Sequence, residues 1–274
     1  PEGLNHRKLV DLAPAADELF VEANTGGAGA TEVHLYRLSL SAGAAPVRVS
    51  RERGHHEAVF AREHSHYVHS LQTLSGVRRH RVLTRDGKQV ATIASRSERP
   101  PFLPNMALVQ VGQRELNALV LRPRGFDAGR RYPVVVYVYG GPNHQAVTAR
   151  PFRYLLHQWV ADHGFVVVVI DGRGTPGRGR AWERAIKGNF IAVPLQDQVA
   201  GLRALGARFP ELDLGRVGIY GWSFGGYVAA MAVMLEPDVY HAAAAVAPVT
   251  DWGDYDTHYT ERYLGFPADN PDGY

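Results

Sequence analysis

Two uninterrupted apolar runs, Tyr132–Val138 and Phe165–Ile170, leave few folds open to this chain. A strand without polar alternates is buried on both faces, which is the condition of a parallel sheet with helices on either side. Leu155–His163, Leu195–Ala207 and Tyr227–Leu235 carry helical spacing, and Val217–Tyr220 and Ala242–Val246 read as further buried strands. Leu108–Val111 and Ala118–Leu121 are short strands joined by a polar turn. The alternation predicts an α/β domain with a mainly parallel sheet over residues 101–274.

The first hundred residues follow another grammar. Short alternating or apolar runs recur at Leu19–Ala23, Val33–Leu40, Val47–Val49, Ala58–Phe60, His66–Thr73, His80–Thr84 and Gln89–Ile93. Turn signals such as Thr25-Gly26-Gly27, Ser41-Ala42-Gly43 and Asp86-Gly87 separate them. Strands at this spacing suggest a sandwich or propeller, and two meanders fit better than one closed sandwich. Ser95–Pro104, with three prolines, marks the boundary between residues 1–100 and 101–274.

Composition excludes several classes. There is no cysteine, so thiol catalysis, disulfides and thiolate zinc sites are out. The net charge of +3 is small and its Lys and Arg are scattered, so no nucleic-acid partner is expected. No apolar run approaches the ~20 residues of a membrane span. His64 and His66 merely share a strand face and Gly54-His55-His56 reads as a turn, so with no third ligand fixed no metal or other cofactor is expected. Asp171-Gly172-Arg173-Gly174 lacks the Lys-Ser/Thr ending of a phosphate-binding loop.

The chemistry is carried by Gly221-Trp222-Ser223-Phe224-Gly225. A bare Gly-x-Ser-x-Gly is common by chance, so its context decides. Here a strand, Arg216–Tyr220, precedes it, and Gly226-Tyr227-Val228-Ala229 opens a helix. A sharp strand-to-helix turn would expose the Ser223 hydroxyl, with free helix N–H groups near a developing oxyanion. Ser223 is also the only serine after Ser97.

Gly221–Tyr227 resembles the active-site signature of the dipeptidyl peptidase IV branch of the prolyl oligopeptidase family. Tyr137–Pro142, Asp171–Thr175, and Val249–Trp252 through Tyr259–Tyr263 are similar to that branch too. The resemblance implies a β-propeller capping an α/β-hydrolase domain, with residues 1–100 as its last blades. Short peptides with a free N-terminus, cut after proline or alanine in second place, are the implied substrates. Ser223 matches the nucleophile, the Phe224 N–H one oxyanion donor, and the Tyr139 hydroxyl the other. From the residues alone, Tyr139 reads as an ordinary rim tyrosine. A homodimer and an extracytoplasmic home are further suggestions of the resemblance.

Trp252, Tyr255, Tyr259 and Tyr263 follow spacings of three, four and four, which by itself indicates the core face of one helix. The resemblance instead assigns Trp252, Tyr255 and Tyr259 to the pocket for the residue before the cut. A serine nucleophile also needs a base and an acid, which follow the serine in α/β-hydrolases. Only 51 residues follow Ser223, and their histidines, His241 and His258, lie on a strand start and in the aromatic segment. The expectation is therefore an internal piece of a longer enzyme, its acid and histidine beyond Tyr274 and its amine-binding glutamates before Pro1. An acylaminoacyl peptidase or esterase of the same fold is the rival enzyme reading. A non-catalytic propeller-hydrolase binding protein is the rival of another class.

Overall fold

The computed structural model describes residues 3–41 and 43–274. Ala42, in the middle of one expected turn, lies outside the described residues, as do Pro1 and Glu2. The chain forms two compact units: residues 1–104 with 148–155, and residues 105–147 with 156–274.

The first unit holds two four-stranded sheets, each antiparallel and each in sequence order. One comprises β1 (Asn5–Ala13), β2 (Glu18–Asn24), β3 (His34–Ser39) and β4 (Val47–Arg48). The other comprises β5 (His55–Phe60), β6 (His66–Gln72), β7 (Arg78–Thr84) and β8 (Gln89–Ile93). β1 carries no apolar alternation to betray it, since Arg7, Lys8 and Asp11 sit among its aliphatics; its pairing with β2 reveals it, broken by two register shifts. His55 and His56, which read as a turn, begin β5 instead. Phe20, Leu35, Ala58, Tyr67 and Leu83 make the core of the unit.

In the second unit β9 (Met106–Val111) and β10 (Leu116–Leu121) form a hairpin, followed by β11 (Tyr132–Val138), α1 (Leu155–Asp162) and β12 (Val166–Asp171). After α2 (Arg180–Glu183) and α3 (Ala192–Arg208) come β13 (Leu212–Trp222), α4 (Phe224–Leu235), β14 (Ala242–Val246) and α5 (Thr257–Leu264). The sheet runs β14-β13-β11-β12-β10-β9. The β14/β13, β13/β11 and β11/β12 pairs are parallel, while β12/β10 and β10/β9 are antiparallel. Every residue of β10 and β12 is buried. β11 instead alternates between buried and half-buried despite its apolar run.

Two expectations fail here. β14 is not a buried strand: Ala242–Ala245 are exposed, because β14 is an edge with β13 as its single strand neighbour. The four aromatics do not share one helix either. α5 starts at Thr257, where the Asp256 carboxylate caps it by accepting from the Tyr259 N–H at 2.8 Å, so Trp252 and Tyr255 precede it. Among the described residues no helix is long and apolar enough to cross a membrane.

Candidate active site

β13 ends at Trp222 and α4 begins at Phe224, so the whole reversal falls on Ser223. Its backbone is at φ 57°, ψ −118°, a conformation that a side chain makes costly, by about 1–3 kcal/mol. Neighbours hold it there. The Ser223 N–H donates to the Val246 carbonyl at 3.0 Å, and the Ser223 carbonyl accepts from the Tyr227 N–H at 3.0 Å. The two flanking glycines are steric requirements. A Cβ on Gly221 would stand against the Gly225 and Val138 carbonyls, and one on Gly225 against the Val138 carbonyl and Tyr139 Cα. Ser223 itself is half-buried, next to an exposed Trp222.

Phe224 opens α4, so its N–H is among those without an acceptor inside the helix. Its side chain is buried and packs at 5.8 Å, centroid to centroid, on Tyr139, the first residue after β11. The parallel register of β11 with β13, Val138 opposite Gly221, is what brings Tyr139 beside the turn. Burial raises the pKa of the Tyr139 phenol, and burial followed by the charge of Tyr139 raises that of Tyr259. Both phenols are therefore neutral hydrogen-bond donors at physiological pH. Tyr259 Oη lies beside Tyr139 without meeting it in a well-formed hydrogen bond.

The aromatics gather in space although they do not share a helix. Trp252 stacks on Tyr259 at 6.2 Å, and Tyr255 stands edge-on to both at 5.7 and 5.6 Å. Trp252 is buried and Tyr255 exposed. Tyr263 continues the row, 5.4 Å from Tyr259, and its hydroxyl donates to Asn143 Oδ1 at 3.2 Å. At the centre is Phe190, 4.5 Å from Trp252, 5.3 Å from Phe224 and 6.1 Å from Tyr259. Sequence reading missed Phe190: it sits in a loop-like stretch with no periodicity to mark it.

The loops around the turn are tied by carboxylates. Asp171 accepts from the N–H groups of Ala146 and Val147 at 3.0 and 2.8 Å, fixing the segment after Gly140-Gly141-Pro142. Asp197, fully buried on α3, binds the Arg173 guanidinium through Nε at 2.9 Å and Nη2 at 2.8 Å, and also the Arg173 N–H at 2.8 Å. Nothing in the spacing of Arg173 and Asp197 announced that clamp. The histidines take structural partners. His64 Nδ1 pairs with Asp11 at 2.6 Å, and His55 with Glu57 at 3.2 Å. His241 Nδ1 accepts from the Val217 N–H at 3.1 Å, six residues before Ser223 on β13 and so about 20 Å away along the strand.

The Peptidase_S9 profile, described as the prolyl oligopeptidase family, matches residues 151–274. Dipeptidyl peptidase 8 of Homo sapiens is 45% identical over 161 residues, covering 58% of this chain and 18% of that protein. Probable dipeptidyl-aminopeptidase B of Emericella nidulans is 32% identical over 257 residues, covering 89% of this chain and 28% of that protein. The crystal structure of Porphyromonas gingivalis dipeptidyl peptidase 4 superposes with a TM-score of 0.86 at 28% identity, covering all of this chain and 39% of that one. The chain thus spans less than a third of the length of these curated relatives. The fold is accordingly α/β-hydrolase, preceded by propeller blades.

Proposed function

Because the chain belongs to the prolyl oligopeptidase family, on its dipeptidyl peptidase IV branch, we propose that it is the nucleophile-bearing part of a serine peptidase that releases N-terminal X-Pro or X-Ala dipeptides. Residues 1–100 are its blade part and 101–274 its hydrolase part. The observation that carries the reading is the strained backbone of Ser223 at a strand-to-helix turn. A lone serine in an ordinary cap has no need of φ 57°; one that must present its hydroxyl to a carbonyl does.

In this mechanism Ser223 Oγ attacks the carbonyl after the second substrate residue and passes its proton to a base. The carbonyl oxygen becomes an oxyanion that accepts from the Phe224 N–H and the Tyr139 hydroxyl. A donor aimed at that oxygen contributes about 3–4 kcal/mol to the transition state. Tyr139 suits the task because burial keeps its phenol protonated. Collapse of that oxyanion breaks the C–N bond, the departing amine takes the proton from the base, and water then cleaves the ester on Ser223 to release the dipeptide. His241 is not the base, being committed to Val217 at the other end of β13.

Trp252, Tyr255 and Tyr259 bind the side chain before the cut. Flat rings suit proline, which is compact and already fixed in φ, and alanine gains less because it buries less area. The substrates are short peptides with a free N-terminus, and the working assembly is a homodimer. The test is hydrolysis of Gly-Pro-p-nitroanilide beside its N-acetylated form by the whole enzyme, acid and base included. Release of the dipeptide from the free amine alone is expected. Equal or faster cleavage of the acetylated substrate overturns the dipeptidyl assignment in favour of an acylaminoacyl peptidase.

A further inference from the structure

The two sheets of the first unit enclose a cavity of about 670 Å³ that the peptidase reading does not use. Its walls follow from register. On β6 and β7, Tyr67 pairs with Leu83 and His69 with Arg81, so these four side chains share one sheet face. On β2 and β3, Phe20 pairs with Arg37 and Glu22 with Leu35, which sets Phe20, Leu35 and Arg37 on one face of the other sheet. The volume is in the range of small-molecule sites. Phe20, Leu35 and Leu83 make its apolar lining.

The polar lining is built for a ligand. Tyr67 and His69 are 2% and 5% exposed, yet Tyr67 Oη and His69 Nδ1 have no partner among the described residues. Arg81 Nε and Arg85 Nη2 are likewise buried and unpartnered. These guanidiniums are held by their other nitrogens. Arg81 reaches Glu52 at 3.5 Å, while Arg85 binds Asp11 at 2.9 Å and Glu18 at 2.5 Å. A buried unmet polar group costs about 1–3 kcal/mol, so four on one wall are a strong bias toward an occupant.

The sense of each group is fixed. The Glu52 carbonyl can only accept, so His56 Nε2–H donates to it at 2.8 Å. Neutral His56 then accepts at Nδ1 from His69 Nε2–H, also at 2.8 Å, and His69 Nδ1 is left as a bare lone pair. The wall therefore offers three donor groups and one acceptor. Five guanidiniums, of Arg37, Arg48, Arg51, Arg81 and Arg85, line it against the carboxylates of Glu52 and Asp86. Asp11 and Glu18 behind the wall offset part of that charge.

We propose that this cavity binds a phosphate monoester, its unprotonated oxygens taken by Arg81, Arg85 and Tyr67 and its P–OH donated to His69. The monoanion, about half of a monoester at pH 6 because its second pKa is about 6, carries both kinds of oxygen. A sulfate has the acceptors but no hydroxyl, and a carboxylate is likewise fully deprotonated.

The experiment is isothermal titration calorimetry of the full chain at pH 6 with phenyl phosphate and inorganic phosphate, with sulfate at matched ionic strength beside them. Saturable binding of phenyl phosphate with Kd below about 1 mM is expected, with sulfate at least about tenfold weaker. Tyr67→Phe removes a hydroxyl that has no partner, so the fold is kept and affinity falls about tenfold. Arg51→Ala, at an exposed wall position, weakens binding several-fold and guards against misfolding of the first variant. Absence of saturable heat up to about 20 mM, equal affinity for sulfate, or unchanged affinity in both variants overturns the proposal. Loss of peptidase activity has no bearing on it.

Discussion

His56 and His69 make the first unit acid-sensitive, by an amount that can be worked out. Both are almost fully buried, and burial first of all lowers their pKa from 6.5 to about 4. For His56 the hydrogen bond to the Glu52 carbonyl opposes this, while the neighbouring His69, His34 and Arg48 push the same way as burial. For His69, Arg81 and Arg79 do so, while the Glu52 carboxylate opposes them. In the unfolded chain both rings titrate near 6.5, so between pH 6.5 and about 4 the unfolded state binds more protons than the folded one. Stability is therefore full above pH 6.5 and is lost as pH falls through that window. Each ring forfeits about 2.5 kcal/mol on going from pH 7 to pH 4.5, and the pair about 2.5–5 kcal/mol. His69→Gln keeps a donor for His56 Nδ1 but cannot be protonated. Its acid loss should be smaller than the wild type's by about 2 kcal/mol. The assay is urea unfolding at pH 7 and pH 4.5, with hydrogen exchange on β5 and β6 as the readout. Tryptophan fluorescence would miss the event, since Trp159, Trp182, Trp222 and Trp252 all belong to the other unit. An equal pH dependence in variant and wild type would refute the argument, because the carboxylates titrating in the same window are common to both.

Three further outcomes, each read on the whole enzyme, bear on the hydrolase part. Tyr139→Phe should lower kcat by about 10²–10³ with KM nearly unchanged, since the lost bond forms chiefly in the transition state; steady-state kinetics decide it. Gly225→Ala drives a methyl against the Val138 carbonyl and should cost about 3 kcal/mol or more, with loss of Ser223 labelling by a fluorophosphonate. His241→Ala should leave kcat/KM within about twofold, and a collapse of activity would make His241 a participant after all.

How far the site is legible in the sequence differs by residue. Ser223 was legible because its glycines answer a local steric demand, and local demands are written in adjacent residues. The helices α1, α3 and α4 were legible for the same reason, through their periodicity. Phe190 and Asp197 were not, because each acts on partners distant in sequence. The break between Tyr255 and Tyr259 was missed because residues at three- and four-residue spacing can converge without a helix. Asp256, a capping residue directly before α5, was the overlooked sign. β14 read as buried because its alanines are apolar, and composition cannot say whether a strand has one neighbour or two.

The left-handed turn at Ser223 has a consequence for how such a sequence can drift. Ser223→Gly would relieve the backbone and gain about 1 kcal/mol or more, whereas Ser223→Ala keeps the Cβ and gains nothing. A population screened only for folded yield should accumulate glycine at this position and lose its hydroxyl. Persistence of serine there needs a second filter, one that reads turnover rather than thermal resistance.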